Sequence, residues 1–254
     1  MTADSFLEKP RKLSNEDMPC INRDCPFYGL AAEDGPFAEP DIRCMINAIA
    51  QEVSFEQGDV LFRQGQSSAN LYSITEGAVK ICSNSADGRE QIVGLSTDGN
   101  MLVGLQSISD KSYAYTAIAA TAIQGCKINH KSLLALAQDS GDLGMRVISA
   151  MNSQLAHSRA LMEVMGQKCA AAKVAAFILL MAPEKKNCKC RFSLPFSRRD
   201  IAGLFGLSEE TVCRLMADMK RTGAIYAPRG RIEIRDWQQL QTIADGNSRD
   251  YLAA

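Results

Sequence analysis

The sequence predicts an α+β protein with more than one domain, and three observations support this prediction. Short strand-like segments separated by glycines run from Val53 to about Ile128. An apolar seam at heptad spacing follows and requires a long helix. Two short amphipathic helices then meet at Gly206 and precede a pair of short strands. A chain of 254 residues can hold one large domain or two of ordinary size.

The composition is that of a folded protein, with 46% apolar residues, 22% charged residues and a net charge of −1. A charge near zero excludes a uniformly basic DNA-coating protein. No run of 18 apolar residues occurs, so we expect no membrane association. The N-terminus lacks the apolar core of a secretory signal, so we expect a cytoplasmic location. The nine cysteines are then expected to be reduced thiols or metal ligands.

The first 40 residues are expected to form a mobile segment with a cysteine-containing loop. Residues 20–40 are rich in glycine and proline and contain Cys20 and Cys25. Such a loop is ordered most simply by a group that its cysteines hold. A short helix containing Cys44 is expected over residues 41–50.

The next section reads as a β-barrel or sandwich, because many short strands recur at regular spacing. Asp87-Gly88 is a strong hairpin turn. Tyr113 to Ile128 adds two strands. The remaining strand-like segments are residues 60–62, 71–74, 78–81 and 91–95.

The long helix carries apolar residues at alternating spacings of three and four. A helix with such a seam usually packs against a copy of itself; the alternative is that the seam covers the barrel. The seam residues are Ile148, Met151, Leu155, Ser158, Met162, Met165 and Cys169. Beyond it we expect a helix over residues 173–181, a polar link over 183–196 that carries Cys188 and Cys190, and a last helix over 236–244.

The stretch from Phe196 to Gly223 predicts a helix-turn-helix. Gly206 lies where a sharp turn requires a positive φ, and Ala202, four residues earlier, lets the second helix pack closely. Val212 would fill the corner, and Ser208 is a good N-cap for the second helix. In this motif the second helix enters the DNA major groove. The alternative is an ordinary helical hairpin.

The charge distribution agrees with a DNA-binding region. From Arg198 to Arg235 there are eight basic and five acidic residues, a net charge of +3 in a chain of net charge −1. Phosphate contacts require such a concentration. Residues 224–227 and 231–235 read as the two strands of a wing, with Arg229 at its tip, although any one of these arginines could be ordinary solvated surface.

These features together resemble the family of bacterial transcription regulators that includes the cyclic-AMP receptor protein and the fumarate and nitrate reduction regulator. The similarity covers roughly residues 41–245, and its most telling stretches are GDVLFRQGQSSANLYSITEGAVKI and LSEETVCRLMADMKRTG. It implies a cyclic-nucleotide-binding-like β-roll (jelly roll) over residues 41–140, a dimerisation helix over 141–168 and a winged helix-turn-helix over 169–254.

The resemblance implies a non-enzymatic homodimer that reads a palindromic operator. It also implies contact with RNA polymerase, for which the loop from Asp110 to Ser112 is a candidate. The family's Glu-x-x-x-Arg pattern is matched by Glu210 and Arg214; an arginine can fork onto guanine, and a glutamate can accept from cytosine. The residues expected to contact DNA are Arg199, Ser208, Glu209, Glu210, Cys213 and Arg214.

Cys213 stands where the fumarate and nitrate regulator has a serine that helps to read the half-site. The resemblance therefore does not specify the identity of the outer bases of the half-site. The thiol is either a small contact residue or a site whose oxidation would block docking.

The residues of the roll indicate which ligands it is expected to bind. Gly104 is followed by Leu105 and Gln106, and residues 112–120 contain no arginine for a cyclic phosphate, so no cyclic nucleotide is expected. Haem has weak support, because His130 and His157 lie in no recognisable ligation motif.

The resemblance to the oxygen-sensing regulators implies a [4Fe–4S] cluster, which requires four thiolates. Cys126 matches the family's cysteine at the end of the roll, Cys20 and Cys25 lie in the equivalent loop, and Cys44 could complete the set. The family's close-set cysteine triplet is absent here. Ser158 also replaces an acid that opposes dimerisation in oxygen-labile members, so a dimer without a cluster is expected to persist.

Two alternatives stay open at this point. One is a regulator of the same family that is constitutive or controlled by cysteine oxidation. The other is a catalytic thiol protein using Cys188 and Cys190, which would not protect a palindromic footprint. Cys82 and Cys169 are expected to be small buried apolar residues.

Overall fold

The computed structural model describes residues 45, 46, 48–85, 90–97, 101–182, 190–228 and 230–247. The predicted loop with Cys20 and Cys25, the residue Cys44 and the predicted turn at Asp87-Gly88 all lie outside these residues. Residues 45, 46, 48 and 49 are helical. The helix predicted over residues 41–50 does not include Ala50, because Ala50 pairs with Ile128 as the start of the first strand.

Eight strands form the N-terminal roll as two four-stranded antiparallel sheets. One sheet has the order β1-β8-β3-β6 and the other the order β2-β7-β4-β5. The strands are β1 (Ala50–Phe55), β2 (Val60–Phe62), β3 (Asn70–Glu76), β4 (Ala78–Asn84), β5 (Glu90–Thr97), β6 (Met101–Val103), β7 (Thr116–Ala119) and β8 (Ile123–Asn129).

The strand predictions are confirmed: the segments at residues 60–62, 71–74, 78–81 and 91–95 each lie within an observed strand, and β7 and β8 are the two strands expected between Tyr113 and Ile128. The strand β6 was not predicted, since three residues carry no readable alternation. It forms because it pairs with β3 at Tyr72, Ser73 and Ile74.

Two glycines allow close approaches inside the roll. A Cβ on Gly125 would lie 2.3 Å from the Ser73 carbonyl oxygen, so only glycine lets β8 and β3 meet there. Gly104 has a φ of 91° and leads from β6 into a short 3₁₀ turn, Leu105–Ser107.

Two helices follow the roll. The first, α1 (His130–Asp139), is capped by Asn129, whose side chain accepts from the Lys131 and Ser132 N–H groups. The second, α2 (Gly141–Met165), is capped by Ser140, which accepts from the Leu143 N–H. The helix α2 ends three residues before the predicted boundary at 168. Cys169 therefore lies outside the seam helix and is instead the N-cap residue of the next one.

The helix α2 has one face on the roll and one face exposed. Leu143, Ala150, Leu161 and Val164 are buried on the roll side. The predicted seam residues Ile148, Met151, Leu155, Ser158, Met162 and Met165 are exposed. The seam residues thus do not pack on the roll, because Leu143, Ala150, Leu161 and Val164 of α2 make that contact.

The C-terminal part is helical with a small sheet. It contains α3 (Ala170–Met181), β9 (Cys190–Ser193), α4 (Arg198–Phe205), α5 (Glu209–Arg221), β10 (Ile225–Tyr226), β11 (Arg231–Ile234) and α6 (Trp237–Ala244). The sheet has the order β10-β11-β9. The predicted polar link over residues 183–196 is wrong where β9 forms. Its pairing with β11 is a long-range contact that local composition does not reveal.

One apolar core joins the roll, α2 and the C-terminal part. It includes Ile92 and Leu95 of β5, Leu161 of α2, and Phe177 and Phe205 of α3 and α4. Gly203 lies against β5, where a Cβ would come within 3.2 Å of Ile92 Cδ1. The orientation of α4 on the roll is therefore fixed by direct packing.

A charged pair adds to this contact. Lys80 Nζ of β4 lies 3.3 Å from Asp200 Oδ1 of α4, and the two side chains are 24% and 15% exposed. Burial alone would raise the pKa of Asp200. Hydrogen bonds from Ser197 and the charge of Lys80 outweigh burial and hold that pKa below its ordinary value. An acid with a depressed folded-state pKa stabilises the fold above its unfolded-state pKa and loses that contribution as the pH falls.

We predict that Lys80→Met lowers the free energy of unfolding by about 1 kcal/mol at pH 7, because Met keeps the aliphatic stem but leaves Asp200 without its cation. The difference from the native protein should shrink as the pH falls below about 4 and Asp200 becomes protonated. Urea unfolding across this pH range measures it, with the exposed Lys131→Met as control. A deficit that stays constant with pH would mean lost packing and contradict the ion-pair role.

Candidate nucleic-acid interface

The turn between α4 and α5 has the geometry that the sequence predicts. Gly206 adopts a φ of 66° and ends α4, and the Leu207 N–H donates to the Ala202 carbonyl at 2.9 Å. Ala202 is 4% exposed and Val212 is fully buried, so the corner is filled by the two residues expected there. A residue with a Cβ would be strained at this φ. The angle between α4 and α5 is thus set locally.

Both helices begin with side-chain caps. Ser197 and Asp200 form a capping box at α4, with the Ser197 hydroxyl accepting from the Asp200 N–H and the carboxylate accepting from the Ser197 N–H. Ser208 accepts from the Thr211 N–H at 3.1 Å at the start of α5. The Ser208 cap was predicted, and the Ser197 box was not. Its sequence signal is a serine followed three residues later by an acid, a variant of the usual Ser-x-x-Glu.

The helix α5 has one buried and one exposed face. Val212, Leu215, Met216 and Met219 are buried against the core. Exposed residues recur along the other face at helical spacing, three or four positions apart. They are Glu209, Glu210, Cys213, Arg214, Ala217, Lys220 and Arg221. We call these seven residues the α5 outer face. Acids occupy the first turn and cations the last, as the helix dipole favours.

All six residues expected to contact DNA are exposed, and five of them lie at the start of α5. Ser208, Glu209, Glu210, Cys213 and Arg214 form one continuous patch. Arg199 is exposed on the first turn of α4. Their contact with bases or phosphates remains a prediction.

A residue that the sequence reading missed lies beside this patch. Arg198 is half-buried, and burial lowers the pKa of its guanidinium while the neighbouring Cys213 thiol acts in the opposite direction. No sequence signal marks this electrostatic interaction, since Arg198 and Cys213 are 15 positions apart in the chain.

The wing strands are confirmed within shorter bounds than predicted. Ile225 and Tyr226 of β10 pair with Ile234 and Glu233 of β11. The strand β11 also pairs with β9, where Glu233 lies opposite Arg191. Arg229, the predicted tip, lies outside the described residues. Arg231, the next arginine, is exposed.

Aromatic rings fill the interior of the roll. The rings of Phe62 and Tyr113 stack with centroids 3.8 Å apart, and Tyr72 stacks on Phe62 at 6.0 Å. All three side chains are buried, and so is Leu105, which follows Gly104. The Tyr113 hydroxyl donates to the Asn70 carbonyl. The expectation that no cyclic nucleotide binds stays a prediction, and the aromatic and aliphatic side chains of this region agree with it.

The two histidines bond to backbone carbonyl groups. His130 is buried, its Nδ1 lies 3.1 Å from the Ser68 carbonyl oxygen, and burial lowers its pKa. His157 Nε2 lies 3.3 Å from the Leu95 carbonyl oxygen and ties α2 to β5. These contacts give both residues structural roles.

Of the four predicted cluster ligands, only Cys126 lies in the part of the chain that the structure describes. It is 9% exposed on β8, opposite Glu52 of β1 and Ser73 of β3. The described residues contain no group of three or more histidine, cysteine or acidic side chains arranged for a metal ion. The four-thiolate set stays a prediction.

The other described cysteines differ in their surroundings. Cys82 is fully buried as expected, and burial, followed by the charge of Glu90, raises its pKa to about 12. Cys169 is half-buried rather than buried. Cys190 is buried in β9, and Cys188 lies outside the described residues.

Within the described segments, no helix has both the length and the apolarity needed to cross a bilayer.

A roll, a long helix and a capped helix-turn-helix with a wing define a DNA-binding class of protein. Residues 52–140 match the cyclic nucleotide-binding domain family, and residues 172–243 match the Crp-like helix-turn-helix domain family. The chain belongs to the CRP/FNR family of DNA-binding transcription regulators. The hairpin alternative and the enzyme alternative are thereby set aside.

Individual relatives agree with this assignment. The chain is 29% identical to the nitrogen fixation regulation protein FixK of Bradyrhizobium diazoefficiens over 77% of this chain and 83% of that protein. It is 26% identical to the fumarate and nitrate reduction regulatory protein of Salmonella typhi over 90% and 91% of the two chains. The structure of FixK2 from Bradyrhizobium japonicum superposes with a TM-score of 0.68 at 26% identity, over 77% of this chain and 97% of that one.

Proposed function

We propose that the protein binds a palindromic operator as a homodimer, with one α5 helix of each protomer in adjacent major grooves. The observation that carries this proposal is the α5 outer face. It is exposed and mostly polar or charged, and the opposite face of the same helix is buried in the core. A helix presented in this way is suited to reading base edges.

The exposed seam of α2 supports the homodimer. Ile148 is 51% exposed, Leu155 48% and Met162 59%. Apolar side chains this exposed, at heptad spacing on one helix face, are typical of a surface that a second copy covers. Ser158 lies within the seam and adds no charge, so we propose that the dimer persists whatever the state of a bound signal.

Base recognition is assigned to Glu210 and Arg214. They are one helical turn apart on the exposed face, so both side chains point the same way. The guanidinium of Arg214 suits the two acceptors of guanine, and the carboxylate of Glu210 suits the amine of cytosine. Arg199 and Ser208 are assigned to the flanking phosphates. RNA polymerase is the proposed partner of the exposed loop Asp110 to Ser112.

We expect Arg214→Ala to lose about 1–3 kcal/mol of binding free energy on the matching duplex and to relax specificity at one base pair. Competition binding with duplexes that carry each base at each half-site position measures this. Arg63→Ala, which removes an exposed arginine of the roll, is the charge-matched control. An equal loss on every duplex would assign Arg214 to the phosphate backbone and contradict base reading.

The signal that we propose is oxygen or redox state, sensed through a [4Fe–4S] cluster held by Cys20, Cys25, Cys44 and Cys126. When bound, such a cluster supplies an oxygen-sensitive group whose loss alters the protein around it. The burial of Cys126 on β8 suits a ligand kept from water. The 26% identity over 90% of this chain to the fumarate and nitrate reduction regulatory protein supports the same proposal. Cys44 is the least supported of the four ligands.

Protein purified without oxygen should be brown and contain iron and acid-labile sulfide, and air should bleach it. Cys126→Ser should abolish the colour, because it removes one of four thiolates, whereas Cys82→Ser should retain it, because the Cys82 thiol is sealed in the core. Metal analysis and the visible spectrum measure both. A colourless native protein without iron would remove the cluster from the account.

A second candidate is control by oxidation of Cys213, and the exposure of this thiol on the α5 outer face favours it. An adduct there would stand between α5 and the groove. In this reading the protein is otherwise constitutive.

Peroxide should then abolish DNA binding by the native protein, and Cys213→Ser should bind DNA with and without peroxide, since serine is not oxidised. Titration of a fluorescent duplex measures both. Undiminished binding by peroxide-treated native protein would refute thiol control while leaving the DNA-binding proposal intact.

A further inference from the structure

Two loops of the roll lie side by side and are hydrogen-bonded to each other. One joins β2 to β3, and the other follows the 3₁₀ turn. Ser67 and Ser112 form an isolated antiparallel bridge between them. The Ser68 N–H donates to the Lys111 carbonyl at 3.3 Å, and the Ser68 hydroxyl donates to the Asp110 carbonyl. We call these segments the paired loops, and they comprise residues 66–68 and 110–112.

Tyr113 anchors the base of the paired loops. Its N–H donates to the Gln66 carbonyl at 2.9 Å, and its carbonyl accepts from the Gly65 N–H at 2.8 Å. Its hydroxyl bonds to both backbone groups of Asn70, donating to the carbonyl and accepting from the N–H. Its ring stacks on Phe62. The paired loops are therefore held as one unit on the roll.

His130, the first residue of α1, connects this unit to the helical part of the chain. Its backbone N–H donates to the Ala69 carbonyl at 2.9 Å, and its ring Nδ1 lies 3.1 Å from the Ser68 carbonyl oxygen. A carbonyl oxygen can only accept, so Nδ1 carries a proton whether the ring is neutral or charged. Ser68 thus bonds to α1 through its carbonyl and to the second loop through its N–H and hydroxyl.

The surroundings of the His130 ring favour its neutral state. The residue is 3% exposed, and its buried Nε2 has no hydrogen-bond partner among the described residues. Burial lowers its pKa and outweighs the opposing effect of the Ser68 and Gly104 backbone groups. The Gly104 backbone is near the ring but completes no bond to Nε2. The positive end of the α1 dipole also disfavours a cation in the first turn.

The charged side chains of the surrounding elements do not compensate a protonated ring. On α2, which packs on α1, Asp142 is half-buried and Arg146 is a buried cation. The pKa of His130 reflects neither of these charges nor those of the loops and α1. A proton added at Nε2 therefore places a charge in the interior without a described counter-ion, which is costly. The charged residues of the loops and α1 are all exposed and are Arg63, Asp110, Lys111, Lys131 and Asp139.

We propose that His130 positions the paired loops and that protonation of its ring releases them. The charged ring leaves its buried site for water, and the bond to the Ser68 carbonyl is lost with it. Since Ser68 holds the second loop by two bonds, the release extends to Asp110 and Lys111. The loop from Asp110 to Ser112 is the proposed polymerase contact, so acid weakens that contact while α5 stays in place. This functional part rests on the proposed function.

Amide hydrogen exchange of the full-length protein tests the release. Peptides that contain residues 63–70 and 109–116 are compared between the native protein and His130→Asn at about pH 7.5 and about pH 5.5, on either side of the ordinary histidine pKa. Asparagine keeps a side-chain N–H donor and does not titrate. Neither peptide contains residue 130, so the native-to-variant ratio of exchange rates at each pH cancels the intrinsic pH dependence of exchange.

We expect this ratio to be higher at the lower pH in both peptides, by up to about tenfold. A histidine with a depressed folded-state pKa stabilises its site above about pH 6.5 and loses that contribution as the pH falls toward the folded-state value. A peptide from α5 should keep a constant ratio. The same ratio at both pH values in the loop peptides would overturn the release. An equal rise in the α5 peptide would also overturn it, because that result reports unfolding of the whole protein.

The chain contains only two histidines, so proton resonances of the ring identify His130 directly. In protein labelled on histidine, the signal that disappears in His130→Asn belongs to it. We expect this signal to titrate below pH 6.5, the ordinary value being about 6.5. A midpoint at or above that value would show that the folded site accepts the charged ring, and would overturn the proposal.

Binding of bacterial RNA polymerase to the preformed complex with a selected duplex tests the functional part. The affinity of the native complex relative to the His130→Asn complex should fall in acid, while both proteins bind the duplex alone equally. D110A/K111A, which alters the loop side chains, should weaken polymerase binding at neutral pH. No effect of D110A/K111A would refute the polymerase contact, and the exchange result would still decide the role of His130. Weakened binding by D110A/K111A combined with a pH-independent native-to-variant ratio would overturn the link between His130 and polymerase.

Discussion

The continuous apolar core that joins the roll to the helix-turn-helix is the constraint on which the rest of the structure depends. Ile92 and Leu95 of the roll pack in the same core as Phe205 of α4 and Leu161 of α2. Gly203 has no side chain, which lets α4 lie directly on β5. Because α4 is fixed in this way, and because the corner at Gly206 fixes α5 on α4, the direction of the α5 outer face follows from the roll.

This arrangement has a functional consequence. The roll and α2 are connected to α4 by packed side chains and by the Lys80–Asp200 pair. Packed interfaces of this kind tend to shift as units rather than deform continuously. We infer that a signal at the roll would alter DNA binding through this packing.

Local features of the structure were predictable, and long-range ones were not. Gly206, Ser208 and the spacing of Val212, Leu215 and Met219 specify the helix-turn-helix within 20 residues, so the sequence alone predicts it. Lys80 and Asp200 are 120 residues apart, and β9 forms only because β11 pairs with it. Two of the expected cluster ligands, Cys20 and Cys126, are 106 positions apart, and sequence spacing does not specify whether such distant residues meet.

The central claim is that two protomers present their α5 helices to one duplex at the same time. Sedimentation of the complex with a selected palindromic duplex, combined with a hydroxyl-radical footprint, tests it most directly. The account predicts two 27.7 kDa protomers per duplex and two protected half-sites centred about one helical turn apart. One protomer per duplex, or a single protected patch, would contradict it.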